Sequence, residues 1–173
     1  MLPELTSSKS YFVTVKQVPV ALDPLESGGA RLQVIFAFDA AVHVVPRGAK
    51  ADPQAVSVSL DEMSIRVETG EFETKSDGSR VAVTEEKTVP AATITMRNDG
   101  TKYFYVQDQV YDVSGTDASG QAIDFPEWTT QEILSVVPVV LVQPGASRTI
   151  KLPLPEGTDA KNLSVTIKQR EGL

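Results

Sequence analysis

Along most of the chain, apolar and polar residues alternate with period two, the spacing that sends successive side chains to opposite faces of a strand. In "SYFVTVKQV" (10–18), Tyr11, Val13 and Val15 share one face and Phe12, Thr14 and Lys16 the other, and Pro19 ends the strand. "PLESGGA" (24–30) is rich in turn formers, so the strand on either side of it is expected to close into a hairpin with a wide loop. The second strand, "RLQVIFAFDAAVHVVPRG" (31–48), is the longest apolar alternation in the chain. Leu32, Val34, Phe36, Phe38, Ala40, Val42 and Val44 share a wholly apolar face, while Arg31, Gln33, Ile35, Ala37, Asp39, Ala41, His43 and Val45 make a mixed one. Extended, it would reach about 45 Å, well beyond an ordinary strand.

"PRGAKADP" (46–53) has the two prolines, glycine and charges of a linker. A second series of strands follows: "AVSVSL" (55–60), "SIRVE" (64–68), "RVAVTE" (80–85), "ATITMR" (92–97), "KYFYVQDQVYDV" (102–113), "VVLV" (139–142), "SRTIKLPL" (147–154) and "LSVTIKQ" (163–169). Short strands separated by turns such as "RNDGT" and "QPGAS" describe an all-β, immunoglobulin-like β-sandwich. Only "TTQEILSVV" (129–137) has room for a helical turn. The expected organisation is a partial first domain over residues 1–48 that ends in a long edge strand, a linker over 49–53, and a complete second domain over 54–173.

Composition narrows the function. The 173 residues are 41% hydrophobic and 23% charged, enough to bury a core, and carry a net charge of −7. That balance argues against nucleic acid or an anionic membrane surface as partner, since either needs a basic face. With no cysteine, disulfides and thiolate metal sites are excluded. No apolar run approaches the length of a membrane helix, so membrane insertion is not expected, and "MLPELTSSKS" has neither the charged start nor the apolar stretch of a secretory signal.

Candidate catalytic chemistry is sparse. The one histidine, His43, shares a strand face with Asp39, but four residues of strand put them about 13 Å apart, too far for a dyad. Phosphate-binding, zinc-protease and nucleophile-elbow motifs are absent. The carboxylates of "ETGEFETKSD" (68–77) and "TEEK" (84–87) fit no calcium loop and read as a solvated hairpin tip. In "DFPEW" (124–128), Phe125 and Trp128 read as an aromatic plug at one end of the sandwich rather than a platform for sugar or peptide. Catalytic residues, a metal and a cofactor are therefore not expected, and a binding protein is favoured over an enzyme.

Two stretches together resemble a known family. "YFVTVKQVPVAL" followed by "RLQVIFAFDAAVHVVPRGAK" resembles the end of the first domain of the PapD-like periplasmic chaperones of the chaperone–usher pathway, with Tyr11, Phe12, Val15, Gln17 and Pro19 in the first element and Leu32 to Pro46 in the second. "ATITMRNDGTKYFYVQDQVYDVSG" (92–115), with Asn98 at its turn, and "VVLVQPGASRTIKLPL" (139–154), with Leu141, Pro144, Gly145 and Arg148, resemble elements of the second domain. "VQPG" and "VKQVPV" are closer to the non-classical branch.

The resemblance implies a periplasmic chaperone that binds pilin-like subunits by donor-strand complementation and delivers them to an outer-membrane usher. The donated side chains would be Leu32, Val34, Phe36, Phe38, Ala40 and Val42. Each large one buried would contribute about 1.5–3 kcal/mol. Two departures stand out: Ala41 occupies the position where classical members place a basic residue for the subunit's terminal carboxylate, and the chain starts inside the implied first domain. A strand so apolar also invites self-association, so the alternative is a structural sandwich that completes a second copy of itself by strand exchange.

Overall fold

A computed structural model describes residues 5–17 and 36–170. The described chain is an all-β sandwich of antiparallel sheets with one short helix. In chain order the strands are β1 (Lys9–Lys16), β2 (Ala37–Val44), β3 (Pro53–Thr74), β4 (Arg80–Asn98), β5 (Phe104–Tyr105), β6 (Gln109–Thr116), β7 (Ala122–Asp124), β8 (Leu141–Val142), β9 (Ser147–Pro153) and β10 (Lys161–Gln169). Helix α1 spans Thr130–Val136 between β7 and β8.

One sheet is ordered β3-β4-β9 and the other β10-β6-β7, with the small pair β5-β8 beside them. Alternation builds the core: Ala92, Ile94 and Met96 of β4 point inward with Ile150 and Leu152 of β9, against Tyr111 and Val113 of β6 and Ile167 of β10. Trp128, 8% exposed, and Ile133 of α1 join this core, and the Trp128 indole donates to the Pro153 carbonyl at 3.0 Å. The "DFPEW" segment is thus the expected plug, with Phe125 half-buried against the same core. The expected helical turn is α1, started by a capping box in which Thr129 and Glu132 satisfy each other's amides.

Three expected strand boundaries are corrected. The strands at 55–60 and 64–68 are one strand, β3, and those at 80–85 and 92–97 are one strand, β4. Their charged stretches interrupt the alternation: Asp61–Glu62 lies where the pairing with β9 ends, and Glu85–Lys87 on the two-stranded arm beyond it. Within the arm, Gly70 adopts φ 82 at a break in register between Glu68 and Phe72, and Thr69 closes the irregularity by donating its hydroxyl to the Val83 carbonyl. The third correction is 102–113, which is not continuous: a 3-10 turn over Val106–Asp108 separates β5 from β6.

The linker residues lie against the sandwich. Lys50 O accepts the amides of Thr101 and Lys102, Asp52 O accepts that of Asp99, and β3 begins at Pro53. A Cβ on Gly100 would fall on the Lys50 carbonyl oxygen and 2.6 Å from the Asp52 nitrogen, so only glycine permits this approach.

Candidate partner-binding surface

β1 and β2 form a two-stranded ribbon with Lys9 opposite Val44 and Lys16 opposite Ala37. Opposed residues share a face, so the two alternations seen in the sequence add: Val15 faces Phe38, Val13 faces Ala40 and Tyr11 faces Val42. Tyr11, Val13 and Val15 of β1 thereby join Phe36, Phe38, Ala40 and Val42 in one apolar face. This face is open to solvent, with Phe36 55% and Phe38 66% exposed and their rings stacked at 6.2 Å. Every buried apolar side chain of the described chain lies at Val89 or beyond, so the ribbon adds none to the core.

The opposite face is mixed: Phe12, 80% exposed, lies across from Ala41 between two polar pairs. Thr14 donates to the Asp39 carboxylate at 2.5 Å, and Ser10 Oγ lies 2.6 Å from His43 Nδ1. Asp39 and His43 are therefore taken by different partners on β1, and the structure does not bring them together.

Main-chain geometry defines the free edge. The Gln17 amide donates to the Phe36 carbonyl at 3.0 Å, which makes Phe36 a hydrogen-bonded position of the antiparallel ladder. By alternation Phe38, Ala40 and Val42 also turn their main-chain groups toward β1, whereas Ala37, Asp39 and Ala41 turn theirs outward. Among the described residues no strand pairs with that outer edge. One strand thus offers two complementary features: apolar side chains from the even positions and open amides and carbonyls from the odd ones.

The foot of the ribbon is tied to the sandwich. Ser8, 4% exposed, donates its amide to the Thr101 carbonyl at 2.7 Å, and its hydroxyl accepts from the Tyr103 amide at 2.9 Å. Gln143 Nε2 donates to Ser10 Oγ at 2.5 Å, on the same hydroxyl that meets His43 Nδ1. The His43 ring lies against Tyr103, centroids 4.7 Å apart, with Tyr105 at its edge. Burial of the Tyr105 hydroxyl raises its pKa, so it stays protonated beside the imidazole at neutral pH.

Comparison with family models, curated proteins and solved structures finds no match to this chain.

Of the six expected donor residues, Phe36, Phe38, Ala40 and Val42 lie on the exposed face of the ribbon, while Leu32 and Val34 fall outside the described residues. Ala41, at the position expected to lack the basic anchor, lies on the opposite face across from Phe12. The foot residues Ser8, Ser10, Tyr103 and Gln143 were not anticipated, because nothing in local spacing signals contacts across 95 and 133 residues of chain. Among the described residues no three His, Asp or Glu side chains converge on a common point, and no helix is long and apolar enough to cross a membrane.

Proposed function

We propose that this protein is a chaperone of pilin-like subunits that works by lending β2 to an incomplete sandwich, and that it belongs with the non-classical periplasmic chaperones of the chaperone–usher pathway. The observation that carries this is the coincidence, on β2, of an exposed apolar face at Phe36, Phe38, Ala40 and Val42 with an unpaired main-chain edge at Ala37, Asp39 and Ala41. An extended partner gains main-chain hydrogen bonds along the edge and buries the alternate side chains in its own groove, which is β-strand addition in chemical terms. Burying Phe36 and Phe38 alone would contribute about 3–6 kcal/mol, taking about 1.5–3 for each. The family-like "YFVTVKQVPV" and "VQPGASR" segments support the same assignment, and with it a periplasmic location, an outer-membrane usher as the receiving partner, and residues 1–48 as the end of a first domain.

The test is co-purification with a candidate pilin-like subunit. Phe36→Asp with Phe38→Asp is expected to abolish capture while the circular dichroism of the sandwich is unchanged, because both side chains are exposed and outside the core. Undiminished capture by the folded double variant would overturn the proposal.

The same open face on β1, at Tyr11, Val13 and Val15, favours self-association when no subunit is present. In sedimentation this gives a concentration-dependent dimer, and a monomer at all concentrations would rule it out.

A further inference from the structure

β4 outruns its neighbour. β9 pairs with it from Ala91 to Arg97, and the last bond on that side runs from the Leu154 amide to the Pro90 carbonyl at 2.8 Å. From Arg80 to Val89, β4 is paired with β3, and among the described residues no strand lies along its outer edge. A pair of strands without a third is marginal in water. The Pro90 carbonyl fixes which main-chain groups are open. It points to the β9 side, so by alternation Ala82, Thr84, Glu86 and Thr88 turn their amides and carbonyls outward, whereas the Val83 carbonyl, which accepts the Thr69 hydroxyl, faces β3. The side chains along this edge are Val81, Val83, Glu85 and Lys87 on one face and Ala82, Thr84, Glu86 and Thr88 on the other.

The arm is also acidic. Between Asp61 and Lys87, eight carboxylates meet four Lys and Arg side chains, a net −4 of the chain's −7. Asp61 is answered by Lys151 of β9, but two of the four cations are already engaged, Lys87 with Glu156 at 2.7 Å and Arg80 over the Phe72 ring. Arg66 stands opposite Glu86 and forms no ion pair with it among the described residues. Glu85 and Glu86, both exposed, thus put a carboxylate on each face of the open edge at one point, with Val81, Ala82 and Val83 beside them. A strand added here gains main-chain bonds along the edge and matches its side chains by carrying a cation on each face next to apolar residues. A second copy does not fit: nowhere does this chain set two Lys or Arg residues side by side, and its own β4 edge would bring like charges together. We propose that the outer edge of β4 over Ala82–Thr88 docks an extended segment of a partner protein in which a pair of adjacent Lys or Arg residues adjoins apolar ones. The proposal goes beyond the chaperone function and does not depend on it, since this edge is at the opposite end of β4 from the turn to which Ser8 ties the ribbon.

The experiment titrates the full chain with a short synthetic peptide that alternates valine and threonine around a central Lys-Lys pair, and with the same peptide carrying Glu-Glu instead, followed by hydrogen exchange at single amides. The Lys-Lys peptide is expected to bind saturably and to protect the amides of Ala82, Thr84 and Glu86, while that of Glu85, which faces β3, is unchanged. Glu85→Gln with Glu86→Gln, at two exposed positions outside the core, should weaken this binding about fivefold, the loss of two cross-strand charge pairs. Raising the salt to about 1 M should weaken binding to the unmodified chain in the same direction, and decides the matter should the double variant fail to fold. The proposal is overturned if neither peptide binds, if Glu-Glu binds as well as Lys-Lys, or if the bound peptide leaves exchange at Thr84 unchanged. It is equally overturned if the three edge amides are protected in the free chain and lose that protection on dilution, which makes a second copy the occupant.

Discussion

Asn98 has no exposed surface, and every polar atom of its side chain is used. Its amide nitrogen donates to the carbonyls of Lys102 and Val142 at 2.8 and 3.1 Å, while its oxygen accepts from the amides of Gly100 and Asp52 at 3.0 and 3.3 Å. One residue therefore closes its own turn, holds the linker and reaches β8. Asn98→Ala would strand several buried groups at about 1–3 kcal/mol each, so the urea midpoint should fall by the equivalent of about 3 kcal/mol or more. The sequence marks Asn98 as a turn residue, but its partners Asp52 and Val142 lie 46 and 44 residues away and leave no local trace. At the exposed turns, hydrogen bonds from Ser79 lower the pKa of Asp77, and those from Ser119 and the Gln121 amide lower that of Asp117. An ion pair with Lys151 does the same for Asp61. A carboxyl whose folded pKa is depressed stabilises the fold above its unfolded pKa, near about 4, and that contribution is lost as pH falls through the lowered value. Thermal midpoints should accordingly be flat from neutral pH down to about 5 and decline only below about 4, a modest decline because these groups are exposed.

At the scale of the element, β2 makes a prediction that distinguishes its two edges. The Ala41 amide faces the open edge and the Ala40 amide faces β1. Ala41→Pro removes an N–H that only a partner would use, so it should reduce subunit capture while the ribbon still pairs; Ala40→Pro should also disrupt the ribbon itself. Amide exchange across β1 reads the difference. Most strands were legible because each has one buried face, which imposes period two on the sequence, as along Ala92, Ile94 and Met96. The merged strands were not, because the charges of Asp61–Glu62 and Glu85–Lys87 interrupt the alternation where the strands are largely exposed, although Met63, Val89 and Ala91 beside them are half-buried or buried. The break between β5 and β6 did leave a signal. Phe104 and Val106 are buried at even positions and Tyr111 and Val113 at odd ones, so the inward parity changes, and the 3-10 turn is where the chain absorbs it.

Taken whole, the molecule separates a self-sufficient core from a surface that is apolar and uncovered. The core runs from β4 to β10 and closes on itself through Trp128 and α1, whereas among the described residues the ribbon meets the sandwich at its foot, through Ser8, Ser10, His43 and the Tyr103–Tyr105 pair. The alternation in residues 31–48 made the apolar stripe on β2 readable from sequence. What it left open was whether that stripe faced the protein's own core, because a core strand and a donated strand carry the same pattern. The described structure puts Phe36, Phe38, Ala40 and Val42 outside the core, and the central claim is that a partner's strand covers them. Hydrogen exchange at the amides of Ala37, Asp39 and Ala41, measured on the free chain and on its complex with a pilin-like subunit, tests this most directly. Strand donation predicts that all three exchange rapidly when free and become strongly protected in the complex; a captured subunit that leaves their exchange unchanged would contradict it.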